Sequence, residues 1–371
     1  MNSAMNSVIN GAGDRKGTSM NDSNINLFQQ AIRRENYGRP PVWFMRQAGR
    51  YHSHYQNLRA SNSFMDVCKK PDIACEAALG PVQDFGFDAA ILFSDLLFPL
   101  EAMGMGLEYS PGPKLAWHIE TPEDAERLDS GSKLASQLAF QAEAIRLTRQ
   151  HLPASTGLLG FVGGPLTLYC YAAEGSHQGE LASARRGLTD GRYEIFCARL
   201  NDLLIDNMVL QAEAGADTVA ILDTCAGELN PADYREYAIP ALEKVMLGFK
   251  ARCPDTPISY YSKNTQAQHW EALVDLPIAC MGIDWNHDIA DVLSNWHDHW
   301  AIQGNIDPNW LFLETDELVA RISKIFAKVK ALPQSHRRGW VCGLGHGVLP
   351  GTPEKNVRAF LKTQKEFFNE H

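Results

Sequence analysis

Two arginines, Arg46 and Arg50, lie four residues apart in Val-Trp-Phe-Met-Arg-Gln-Ala-Gly-Arg-Tyr at 42–51. An apolar run that stops abruptly at a polar turn reads as a buried strand emptying into a loop. Gln47, Ala48 and Gly49 separate the arginines, and the small residues let backbone N–H groups approach whatever the guanidiniums hold. Such a loop suits a ligand carrying several carboxylates or phosphates. Asp95 follows another apolar run and is itself followed by Leu96, Leu97 and Phe98. A carboxylate placed there is either a buried acceptor for backbone amides or a catalytic group. His346, among the glycines of Gly-Leu-Gly-His-Gly at 343–347, is in the wrong setting for a core filler and points to function. Gly-Gly-Pro-Leu-Thr-Leu-Tyr-Cys-Tyr at 163–171 offers Tyr169 and Tyr171, and Asp-Thr-Cys-Ala-Gly at 223–227 offers a hydroxyl at Thr224. Tyrosines in such a stretch usually pack.

These residues share a position: each follows a short apolar run. The runs at 42–45, 88–93, 158–162, 218–222, 257–261, 280–283, 300–303 and 339–342 read as strands. Between them the spacing predicts helices over 71–85, 132–151, 194–214, 230–252, 315–331 and 353–370, several opening with proline in the first turn. Eight strands alternating with helices predict a single closed (β/α)8 barrel, an α/β TIM barrel, whose chemistry lies at the C-terminal strand ends. An open doubly wound sheet is the alternative, but no Gly-x-Gly-x-x-Gly follows the first strand. Ser-Pro-Gly-Pro at 110–113 reads as a turn inside a long loop.

With 371 residues and 45% apolar content, the chain has the composition of a soluble globular protein. A net charge of −10 with no basic stripe argues against nucleic acid or an anionic membrane as partner. It also means that an anion site must concentrate its arginines locally. The eight cysteines are scattered without a Cys-x-x-Cys pair, as expected in a reducing, cytoplasmic compartment. No apolar stretch reaches the roughly 18 residues that span a membrane. Residues 1–23, rich in Asn, Ser and Gly, read as a flexible extension ahead of the folded unit at 24–371. His52-x-His54 and His297-x-His299 lack a third ligand at metal-site spacing.

Met-Arg-Gln-Ala-Gly-Arg-Tyr at 45–51, Phe-Ser-Asp-Leu-Leu at 93–97, Gln-Gly-Asn-Ile-Asp-Pro at 303–308 and Gly-Leu-Gly-His-Gly together resemble the uroporphyrinogen decarboxylase family from about residue 26 to 370. The resemblance implies a (β/α)8 barrel, commonly a homodimer. The activity it implies is removal of carbon dioxide from the four acetate side chains of uroporphyrinogen III, giving coproporphyrinogen III on the way to haem, without cofactor or metal. It maps the family's arginine loop to Arg46, Gln47, Ala48, Gly49 and Arg50, its essential aspartate to Asp95, its site tyrosine to Tyr171 and its late histidine to His346. Asp95 and Arg46 would be the catalytic pair, and all of these, with Thr224, would bind the tetrapyrrole.

Three departures stand out: Thr224 where the family usually has serine, Gly-Gly-Pro-Leu-Thr at 163–167 for Gly-Ala-Pro-Trp-Thr, and His52-Ser53 for Leu-Pro. Two rival readings remain open: a non-catalytic tetrapyrrole binder, or a corrinoid and zinc methyltransferase. The second would need a His-x-Cys with a later cysteine, which the chain lacks after His346.

Overall fold

A computed structural model describes residues 25–176 and 179–369. The flexible extension expected over residues 1–23 lies outside them. Seven parallel strands form one curled sheet in the order β1, β4, β5, β6, β7, β8, β9: Ala89–Ile91, Gly157–Gly163, Thr218–Asp223, Ile258–Ser262, Cys280–Gly282, Ala301–Ile306 and Trp340–Leu344. A separate antiparallel hairpin, β2 (Leu107–Tyr109) and β3 (Pro113–Leu115), folds over the turn expected at 110–113. Every residue of β4, β5, β8 and β9 is buried. A parallel sheet covered on both faces demands this, so its strands appear as continuous apolar runs rather than alternating ones.

The expected first strand at 42–45 is not one. Its ladder is a single bridge, Val42 to Cys342. Pro40 and Pro41 have no N–H to give, and the N–H of Val42 goes to the Asp88 carboxylate at 2.8 Å instead of to a neighbouring strand. The segment still bonds on both sides: Cys342 N–H donates to Pro41 at 2.8 Å, and Asp88 N–H donates to Val42 at 2.9 Å. It therefore lies between β9 and the start of β1. Two further bonds from Arg39 to Asp88, at 2.5 and 2.7 Å, tie this junction down.

The expected fifth and sixth strands shift little, but the seventh, expected to end at 303, continues to Ile306. Polar Gln303 and Asn305 hid this extension. Both are buried, and Asn305 donates to the carbonyls of Asp284 and His287, each at 2.8 Å. The helices form largely where periodicity placed them. Pro71–Phe85 opens with proline and stops at Gly86, whose φ of 74° closes the helix in the left-handed region. Asn230 caps the segment at Pro231, accepting from Ala232 and Asp233. The helix Arg192–Glu213 locks onto the sheet through Gln211, which bonds the N–H and carbonyl of Phe161 at 2.7 and 2.9 Å.

Removing the Asp88 carboxylate strands both the Arg39 charge and the Val42 N–H. Asp88→Ala should cost about 2–3 kcal/mol of stability, read as a lower Tm in a thermal melt. Asp88→Asn, which still accepts from Val42, should lose less.

Candidate active site

Because the seven strands are parallel, their C-terminal ends open at one end of the molecule. The segments after β1, β4, β5 and β9 carry Asp95, Tyr171, Thr224 and His346, Tyr171 on the helix Pro165–Glu174 and the others in loops. The loop after the Val42 segment brings Arg46. Chain topology thus collects residues that are far apart in sequence.

Arg46 adopts a φ of 61°, a left-handed turn that throws its side chain across the opening. There it crosses the glycine loop after β9: a Cβ on Gly347 would lie 2.4 Å from Arg46 Cδ. The two loops are stitched by Val348 N–H donating to Met45 at 2.9 Å. From this place the guanidinium acts on Asp95, Tyr171 and Tyr261 together. Arg50 is exposed; its charge acts on Tyr55 and its carbonyl accepts from Gln56. Gln47 serves the fold: it is buried, accepts from Phe44 N–H at 3.1 Å and donates to Ala89 at 3.0 Å. Ala48 and Gly49 are half-buried, and a Cβ on Gly49 would meet the Arg46 carbonyl at 2.9 Å. The turn therefore needs its small residue.

Asp95 is partly buried in the loop that follows β1. Burial pushes its carboxyl above the usual carboxylate range, opposed by Tyr109, the amides of Leu97 and Leu96, and Arg46. The Leu97 N–H donates to it at 3.0 Å. Tyr171, half-buried on the helix Pro165–Glu174, has its hydroxyl proton held more tightly by burial and then by the charge of Asp95. Its neighbour Tyr169 is fully buried against Tyr193 and Phe196, which is packing.

His346 accepts the Gly347 N–H at Nδ1, 2.7 Å away, which places the neutral ring's proton on Nε2. Its ring faces Tyr261 and Trp285 at centroid distances of 5.9 and 6.4 Å. Tyr261 is anchored by donation to Gly345 at 2.8 Å. Thr224 is half-buried in a turn whose neighbours are immobilised. Asp223 accepts from Thr167 Oγ1 at 2.6 Å and Tyr260 at 3.0 Å, and Cys225 N–H donates to the same Thr167 hydroxyl.

The two histidine pairs have ordinary explanations. His52 is buried with Nε2 2.7 Å from Asp84 and stacks on His54. His297 stacks on His336 at 3.9 Å. Among the described residues no group of three His, Cys, Asp or Glu side chains is placed to hold a metal, and no described helix is long and apolar enough to cross a membrane.

Sequence reasoning missed Lys263, Trp285 and Tyr109. Lys263 directly follows β6, with its ammonium 6.0 Å from the Trp285 ring that in turn faces His346. The residue after the strand run at 257–261 carries the same signal as the others, but those strand ends went unread. Tyr109 gave no signal, because only the hairpin brings it beside Asp95.

A parallel α/β sheet with a cation, a desolvated carboxylate, a tyrosine and a histidine gathered at its C-terminal mouth defines an enzyme of the barrel-like α/β class, built for an anionic ligand. The chain belongs to the uroporphyrinogen decarboxylase family, whose model matches residues 23–367. Relatives named uroporphyrinogen decarboxylase from Chloroherpeton thalassium and Chlorobium phaeobacteroides are each 35% identical, over 92% of this chain and 96% and 97% of their own lengths. Among solved structures, a methyltransferase from Methanosarcina mazei superposes with a TM-score of 0.71 at 18% identity, covering 93% of this chain and 100% of its own. A putative vitamin-B12-independent methionine synthase from Listeria monocytogenes gives 0.54 at 12% identity, covering 93% and 99%. At those identities the likeness shows the fold alone.

Gly347→Ala should displace the Arg46 stem without disturbing the sheet. The expected result is a roughly tenfold weaker affinity for a polycarboxylate ligand, measured by titration calorimetry, with Tm close to the parent's.

Proposed function

We propose that this chain removes the four acetate carboxylates of uroporphyrinogen III as carbon dioxide, giving coproporphyrinogen III in porphyrin and haem biosynthesis, with no cofactor. The observation that carries the proposal is Asp95: a partly buried carboxylate at the strand ends, whose carboxyl burial pushes up and the Arg46 charge pulls back, in a family named for this reaction. Pure anion binding gains nothing from a desolvated negative charge, whereas stabilising a cationic intermediate does. Arg46, with Arg50 and the backbone of Ala48 and Gly49, receives substrate carboxylates. Gln47 holds that loop in shape. Tyr171, Thr224 and His346 position acetate and propionate groups by hydrogen bonding.

The difficult step is breaking the bond from the acetate methylene to its carboxylate, since the electron pair needs a sink. Protonation of the pyrrole ring provides one. The C–C pair then flows into the cationic ring as carbon dioxide leaves. The resulting exocyclic methylene takes up a proton to become methyl, and the ring gives back the proton it first gained, so that one proton is consumed for each carbon dioxide released. Ionised Asp95 accepts from the pyrrole N–H groups and stabilises the ring cation through space. Arg46 orients the departing carboxylate.

The same proposal covers the wider architecture. Residues 41–43 act as the eighth station that closes a (β/α)8 barrel, on the strength of their bonds to both β9 and the start of β1. Residues 24–371 form the single catalytic domain. The active form is a cytoplasmic homodimer acting on a free tetrapyrrole, with neither nucleic acid nor membrane as partner.

Turnover of uroporphyrinogen III under anaerobic conditions, with products oxidised and separated by carboxylate number, tests the activity. A ladder from eight carboxylates to four is expected. Saturable binding without products would instead mean a silent tetrapyrrole binder.

Asp95→Ala should lower kcat by on the order of a thousandfold while substrate still binds, and Thr224→Ser should stay within roughly threefold of the parent. Near-normal turnover by Asp95→Ala would remove the electrostatic role. Asp95 works ionised, and burial raises its folded-state value above that of the unfolded chain. Activity should therefore fall on an acid limb lying above the ordinary carboxylate range. The sign for stability is opposite: folding binds the proton more tightly, so the charged carboxylate costs stability as pH rises through that value. At neutral pH Asp95→Asn should thus melt higher than the parent although it is inactive.

A further inference from the structure

Tyr109 ends β2, opposite Pro113 in the hairpin that folds over the mouth after β1. Its ring packs on Phe64, with centroids 4.5 Å apart. Its hydroxyl oxygen is shut off from solvent and makes no regular hydrogen bond to a described group. A phenol buried in that condition forfeits a stabilising interaction, so something else must justify the hydroxyl where phenylalanine would pack equally well.

The group it faces is the Asp95 carboxylate: Tyr109 draws that carboxyl back down against the effect of burial, while burial and then the Asp95 charge hold the phenol's proton more tightly. Three other titratable groups face Asp95 from the elements around it. Arg46 comes from the loop after the Val42 segment, Tyr171 from the helix Pro165–Glu174 and Cys68 from the helix Phe64–Lys69. The Cys68 thiol is buried in apolar surroundings and held protonated, so it lends no charge. Arg46 is exposed and engages the substrate's own carboxylates. Besides the amides of Leu96 and Leu97, a donor already buried beside Asp95 before substrate enters is the Tyr109 hydroxyl.

We propose that Tyr109 is a positioning residue for decarboxylation: its hydroxyl donates to Asp95 once substrate fills the mouth, holding that carboxylate ionised and aimed at the pyrrole N–H groups. A hydrogen bond from an O–H to a carboxylate favours the charged form and is stronger than a neutral one. The bond therefore offsets part of the desolvation that pushes Asp95 towards its uncharged, inactive form. It also explains why the hairpin lies against the catalytic carboxylate rather than out in solvent. This inference rests on the ionised role of Asp95 in the proposed reaction.

The test is the pH dependence of kcat, at saturating substrate, for anaerobic uroporphyrinogen III turnover by the parent chain, Tyr109→Phe and Asp95→Asn. Tyr109→Phe keeps the ring and its packing on Phe64, and a melt close to the parent's confirms that it folds. Its acid limb should move up by about one pH unit, as expected when one charge-assisted hydrogen bond to the carboxylate is lost. An acid limb at the parent's position, with Asp95→Asn inactive, overturns the role of Tyr109 but leaves that of Asp95. This holds even if turnover drops uniformly, because a purely structural contribution lowers the rate without moving the limb. Turnover by Asp95→Asn overturns the role of Asp95 itself, and the inference with it.

Discussion

The constraint on which the mouth depends is a negative charge held where little water reaches. Burial works against the ionised form of Asp95, and the opposing influences come from three parts of the chain: the Leu96 and Leu97 amides, the hairpin through Tyr109 and the loop bearing Arg46. None of them suffices singly, because an isolated carboxylate out of water is strongly disfavoured. The surrounding architecture can be understood as a means of bringing those influences to one point and keeping them there. In the proposed reaction, a ligand that becomes cationic completes the balance.

Holding Arg46 in place is the task of the glycine loop after β9. Gly347 leaves room for the arginine stem, and Gly345 leaves room for the backbone of Trp285. The bond from Val348 N–H to Met45 fixes the two loops in register. His346 is carried on the same loop, so the cation and the histidine are positioned by a single piece of backbone. Its Nδ1 is occupied by Gly347 N–H, which leaves the neutral ring's proton on Nε2. Beneath the mouth, Asp223 with Thr167 and Tyr260 makes a fully buried polar knot that orients the turn carrying Thr224. Burial pushes the Asp223 carboxyl up as well, opposed by the hydroxyls and amide that surround it. It resembles Asp95 in environment, but all its neighbours are protein, and its role is to build the turn.

Much of this was legible in the chain itself. Arg46, Asp95, Tyr171, Thr224 and His346 each follow an apolar run, and in a parallel sheet that rule places them at one end. The runs were readable because strands buried on both faces need no polar alternation. Gln47 looked like a ligand contact from its place in the arginine loop, yet its amide is spent on Phe44 and Ala89. No local signal distinguishes those uses. The segment at 42–45 carried a strand's composition, but Pro40, Pro41 and the Asp88 side chain take away its ladder. The extension of β8 was hidden by Gln303 and Asn305, whose polarity is satisfied by partners distant in sequence.

Residue chemistry, apolar periodicity, proline-led helix starts and the motifs that define the family are properties of neighbours along the chain, and the sequence alone determined them. It also determined the need for a localised cation in an acidic protein, since net charge and the arginine loop are both read directly from residue types. Tertiary structure decided which residues meet. Arg46 against Gly347, Tyr109 against Asp95, and Lys263 over Trp285 are contacts between segments whose sequences carry no mark of one another. The physical reason is the one that separates pattern from proximity: burial and hydrogen bonding along a strand or helix follow a period that residue types reveal. The environment of a buried charge, by contrast, is set by whichever distant groups the closed chain happens to bring within a few ångströms.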